Sequence, residues 1–161
     1  MARRSPSGLV DGEAGWPGVS AAEVLAELNA RIDIIEEAYE YFLAYASQGL
    51  PSDSGSDSGR QARHFLERCD TALTGLGQFL TTFIERLGVE SMAPYRAFIA
   101  VIDADTRHAQ AAIQLVIAQP AISSQIVDNL NASIHLRALL TDLFLIDEIL
   151  KQRQRSAAAP Q

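Results

Sequence analysis

Asp105 and His108 stand three residues apart in a largely apolar stretch, a spacing that lets one helix offer a carboxylate and an imidazole on the same side. Glu-x-x-His does this in di-iron bundles, and Asp/His donor sets suit zinc or iron. Asp128, His135 and Asp142 recur at intervals of seven, with Asn131 beside them, which stacks them along one side of a continuous helix. Asp105, His108, His135 and Asp142 are therefore the candidate metal ligands. The motif has little specificity by itself, because any helix with two polar residues three apart contains it. The weightier reading is structural: the same four residues, joined by Arg31, form interhelical salt bridges and hydrogen bonds that set helix register, since buried charge is costly unless paired or ligated. A ferritin-like di-iron centre is disfavoured, because it draws carboxylates from all four helices and the first two helices here show no clear inward Asp or Glu. Glu67 and Asp70 fall at or beyond the edge of their apolar stripe.

Two further reactive groups read as inert. Cys69 lies in the middle of an apolar stripe, where a thiol is a small filler with a raised pKa, and His64 lies on an outer face. The sequence holds no Gly-rich phosphate loop, Cys-x-x-Cys, His-Glu-x-x-His or Gly-x-Ser-x-Gly. This points away from an enzyme without deciding the matter. Asp33, Glu36, Glu37 and Glu40 gather on one face, with Tyr41 and Tyr45 near its boundary. Such a charged stripe is ordinarily a solvated surface. It is also the candidate partner-binding face, because acidic residues beside aromatics suit a basic protein surface.

Four long amphipathic helices must position these residues, over 20–48, 60–87, 92–118 and 122–152, and they predict an all-α four-helix bundle. Ser20 and Glu23 have the spacing of a capping box, with Val19 and Val24 as a hydrophobic staple. Val24, Leu28, Ile32, Ile35, Tyr39 and Phe42 then recur at three and four residues until Gly49 and Pro51 end the helix. Residues 51–59 alternate Ser, Asp and Gly and predict a mobile, solvated connection. Asp53 and Asp57 resemble a calcium loop only superficially, since Arg63 and His64 stand where an EF-hand places its Glu. Gly75 and Gly77 interrupt the second helix at a cost of up to about 1 kcal/mol each. Close packing or a kink is the plain explanation, and backbone approaching an apolar ligand the sharper one. Ser91 is placed to cap the third helix, with Pro94 in its first turn, and Pro120 ends it. The third helix should turn Phe98, Val101, Ala112 and Val116 inward with Asp105 at the centre of that face. Residues 1–18, with Trp16, read as a flexible arm and 154–161 as a flexible tail, leaving 19–153 as one domain.

Composition narrows the function classes. The chain has 161 residues and a formal net charge of -7 without a basic cluster, which argues against nucleic-acid binding. Its apolar runs are interrupted by Asp103 and Asp147 well short of a membrane span. Arg3 and Arg4 are followed by Ser, Pro and Gly rather than an apolar stretch, so no secretory signal is read, and a cytoplasmic location is expected. One cysteine suits a reducing compartment, and one lysine among many arginines and alanines has the look of a bacterial GC-rich genome. The last helix carries Phe144, Leu145 and Ile149 beyond its single stripe, so it is either central or part of a subunit interface. The expectation is a non-enzymatic helical bundle, an accessory, adaptor or assembly factor acting through a protein partner or as a homodimer, with no cofactor. The alternative is a zinc- or iron-binding bundle.

Overall fold

The computed structural model describes residues 18–159, all of whose regular elements are helices. The N-terminal arm, with Trp16, lies outside the described residues. Helix α1 spans Ala21–Ala46, α2 Asp57–Leu73, α3 Leu76–Leu87, α4 Met92–Ile117, α5 Ser124–Ala132 and α6 His135–Ala158. Among the described residues no helix is long and apolar enough to cross a membrane.

The start of α1 follows its sequence signal: Ser20 Oγ accepts from the Glu23 N–H at 3.2 Å, and Glu23 Oε2 accepts from the Ser20 N–H at 2.7 Å. Leu28, Ile32, Ile35, Ala38, Phe42 and Tyr45 form its buried face.

Two of the four expected helices are broken. The second divides at Thr74–Gly75, where Gly75 takes a left-handed φ of 69° that closes α2 and opens α3. Arg31 on α1 secures the break: it donates to the Thr74 carbonyl at 3.0 Å, bonds Glu27 at 3.0 Å and lies over the Phe79 ring. Gly77, the second residue of α3, is buried against α4 so closely that a Cβ there would collide with the Asp103 side chain. The glycines thus serve a break and a close helix contact. The fourth helix divides at Ile134, whose φ of 63° is unusual for a β-branched residue. At its far end α6 runs to Ala158, past the point where a flexible tail was expected.

Helix α1 packs against α2, α5 and α6 and touches α3, while α4 packs against α2, α3 and α6 and touches α5. The pairs α2/α3 and α5/α6 therefore bridge α1 and α4 from opposite sides, and all six helices feed one apolar core. On α4 the buried residues are Ile99, Ile102, Thr106, Ala109, Ile113 and Val116. Of the expected inward residues Val116 is buried and Phe98 and Ala112 pack partly buried against the core, but the face is centred on Thr106 and Ala109 rather than Asp105: Val101 is 46% exposed and Asp105 sits at the margin of the core. Ser91 is the N-cap of α4, yet its side chain makes no capping bond.

The connection at 51–59 is ordered, contrary to its composition. Asp53 is buried at 7% exposure; Oδ1 accepts from the Ile122 N–H at 2.7 Å and Oδ2 from Arg63 Nε at 2.8 Å. Arg63 also donates to the Ile117 and Gln119 carbonyls at 3.0 and 3.1 Å, which satisfies the otherwise open C-terminal end of α4. Beside them Tyr45 donates to the Ile122 carbonyl at 2.8 Å, and Ser124 Oγ donates to the Tyr45 carbonyl at 2.6 Å while accepting from the Leu50 N–H at 2.9 Å. Burial works to raise the Asp53 carboxyl, but the Ile122 N–H and the Arg63 guanidinium outweigh it and hold the group below its usual range. This junction ties the end of α1 to the start of α2, the end of α4 and the start of α5.

Candidate functional site

The residues singled out for metal chemistry lie together on α4 and α6. Asp105 on α4 is in side-chain hydrogen-bond contact with Asp142 on α6. One turn along α4, the His108 ring lies 5.5 Å, centroid to centroid, from the ring of His135, the first residue of α6. The pairs 105 with 142 and 108 with 135 run in opposite directions along the chain, so the two helices are antiparallel here. His108 Nδ1 is 4.0 Å from Asp105 Oδ1, with side chains 63% and 28% exposed.

Two carboxyl groups in hydrogen-bond contact must share a proton. Burial first, then the hydrogen bond and the negative charge of Asp105, push Asp142 up to about 6. Neither carboxylate forms an ion pair with Lys or Arg among the described residues, although Arg107 one turn away pairs with Asp103 at 2.9 Å. The cluster is an oxygen pair beside a nitrogen pair at a half-buried helix seam. As the side chains stand, no three His, Cys, Asp or Glu among the described residues surround a common ion position.

Asp128 does not join the cluster. The sevenfold spacing stacks residues only along an unbroken helix, and the break at Ile134 leaves Asp128 exposed on α5. Arg31 is likewise absent from it, being committed to the α2/α3 break. Asn131 is found on the inner part of α5 with both amide atoms buried and no hydrogen-bond partner.

On α1, Asp33, Glu37 and Glu40 are exposed and Glu36 partly so, with Glu37 3.6 Å from Arg68 on α2. The two tyrosines that would supply contact area are committed internally. Tyr41 stacks on Phe65 at 4.6 Å and donates to the Ser58 carbonyl at 2.8 Å, and Tyr45 is fully buried. Tyr41 therefore offers the acidic face only part of its surface, and Tyr45 none.

Cys69 is fully buried, and burial pushes its thiol up to about 12, as suits a packing residue. A shallow groove runs past Gly75 between Glu27, Arg31, Gln78 and Phe79, but Gly77 turns away from it toward α4. Of the two glycines, Gly75 alone borders this groove.

The surface that sequence reading located only in part is apolar. Val101 and Leu115 on α4 and Ile134, Phe144 and Leu145 around α6 are between 43% and 66% exposed. The excess on the last helix was legible from its pattern; the exposure of Val101 and Leu115 follows from the centring of the buried α4 face on Thr106 and Ala109. No protein-family model, curated protein or solved structure matches the chain.

Proposed function

We propose that the protein is a non-enzymatic helical scaffold that acts through protein contacts on its α4/α6 face and pairs there with a second copy of itself. Its architecture on this reading is a four-cornered bundle, with α1 and α4 at opposite corners and α2/α3 and α5/α6 as the two broken ones. The packing of both broken pairs onto α1 and α4 supports this arrangement.

The observation that carries the contact reading is the distribution of exposed apolar side chains around the Asp/His cluster. Val101 lies one turn before Asp105 on α4, and Leu145 lies one turn beyond Asp142 on the antiparallel α6, so both flank the same end of the cluster. Leu115 and Ile134 flank the other end, beyond His108 and before His135. The result is a polar centre bracketed by apolar ends, each apolar residue 46% exposed or more. Isolated exposed apolar residues are ordinary, whereas a grouped set on one face is characteristic of contact surfaces. Burying it against a second copy removes apolar area from water without the need for a preformed pocket.

Light scattering on the full chain across micromolar concentrations tests this. A dimer that becomes a monomer in Leu115→Glu, Leu145→Glu, with helicity retained, is the expected result. A wild-type monomer throughout overturns self-pairing.

A further inference from the structure

We infer that the seam between α4 and α6 is a site for a divalent transition-metal ion, zinc being the best match, with Asp105, His108, His135 and Asp142 as its ligands.

The donor set comes first. Zinc takes four ligands in a tetrahedron and accepts both imidazole nitrogen and carboxylate oxygen, whereas calcium and magnesium require a larger shell of oxygens than two carboxylates supply. Each of the two packed helices contributes one carboxylate and one imidazole, so the set spans the seam rather than lying along one helix. The rings of His108 and His135 are 5.5 Å apart, and the two carboxyl groups are already in contact. His108 Nδ1 also lies 4.0 Å from Asp105 Oδ1, so the imidazole pair and the carboxyl pair adjoin along the seam.

Charge supplies the second argument. Two juxtaposed carboxyl groups need a cation between them, either a proton or a metal ion. Among the described residues neither Asp105 nor Asp142 has a Lys or Arg ion pair to meet that need. The groups that do stand beside them are imidazoles, which select transition metals over alkaline-earth ions.

The third argument is mobility at the right place. The donors now form an oxygen pair and a nitrogen pair with no common centre. Gathering them requires side-chain torsions in His108, which is 63% exposed, and in the exposed His135 at the first position of α6. Neither ring is packed in the core, so swinging them sacrifices little contact.

The test is titration of zinc chloride into the chelator-treated full chain by calorimetry at neutral pH, with cobalt(II) absorbance reporting coordination number. One zinc per chain is expected, with four-coordinate cobalt spectra. In His108→Ala, His135→Ala the affinity should fall by more than about a hundredfold, since two ligands are lost from the site. Both histidines are exposed, so that variant should keep its helicity, which circular dichroism verifies. His64→Ala, on the outer face of α2, should bind as the wild type does. The absence of zinc binding, equal binding by the double variant, or loss of binding in His64→Ala overturns the assignment.

Discussion

Replacing Asp53 by Ala tests whether the polar junction between α1, α2, α4 and α5 is a structural element or a decorated loop. The substitution removes a buried carboxylate that accepts from Arg63 at 2.8 Å and from the Ile122 N–H at 2.7 Å. It leaves that N–H buried without an acceptor, a cost of about 1–3 kcal/mol, and strips a charge-assisted bond from Arg63. Breaking a fully buried ion pair costs about 3–5 kcal/mol. Here Arg63 is 31% exposed and keeps the Ile117 and Gln119 carbonyls, so water and those acceptors offset part of the loss. The expected destabilisation is about 2–4 kcal/mol for Asp53→Ala, and about 1–2 kcal/mol for Asp53→Asn, which retains an acceptor for Ile122. Urea unfolding followed by circular dichroism measures both, and an unchanged slope confirms that stability alone has changed. Arg63→Met should be comparably destabilising, and the double variant should cost less than the sum by about 1–2 kcal/mol, because the second change removes a group already orphaned by the first. Because the Asp53 carboxyl is held below its usual range, its contribution is present above the unfolded-state pKa and lost as pH falls through the folded one. The gap between wild type and Asp53→Ala should therefore close in acid. A loss under about 0.5 kcal/mol at neutral pH, additive with Arg63→Met, would refute the reasoning.

Two other substitutions probe the seam and the helix break. Asp142 has the opposite sign from Asp53: its folded pKa is raised from 3.8 to about 6, so the metal-free protein is most stable below the unfolded value and loses stability as pH rises through that window. Discounted for solvent access, the loss is on the order of 1 kcal/mol, and it should vanish in Asp142→Asn when urea midpoints are compared across pH in the presence of chelator. Gly77→Ala should cost about 1–3 kcal/mol in urea unfolding, because its new Cβ meets the Cβ and Cγ of Asp103 at 2.8 and 2.7 Å in a packed helix contact; a neutral result would mean that α3 and α4 can separate there without loss.

Helical content and much of the buried pattern were legible in the chain because they depend on local rules. A period of three to four apolar residues, the Ser20–Glu23 box and the stops at Gly49, Gly88 and Pro120 act within a turn or two of the backbone, so α1 and α4 were recognisable with ends within a few residues of those observed. The proximity of Asp105, His108, His135 and Asp142 was foreshadowed by spacing, although their meeting depended on antiparallel packing of α4 against α6. Other features had no local signature. Ile134 adopts a left-handed conformation that a β-branched residue rarely takes unless surrounding structure imposes it, and that break moved Asp128 out of the strip. Asp53 looked like one more polar residue in a Ser-Asp-Gly run; its partners, Ile122 and the Arg63-held end of α4, are 69 residues away or reached through a second helix. On α4 the expected burial of Val116 and packing of Phe98 and Ala112 held while Val101 and Asp105 fell outside the core, because a helix with apolar side chains on more than one side can bury either, and its neighbours select between them. The sequence by itself determined that the chain is helical and where α1 and α4 begin and end, since those follow from propensity, period and caps. Which polar groups meet, which loop is held and which apolar side chains stay in water were decided only when the helices packed, because those outcomes depend on contacts between residues far apart in the chain.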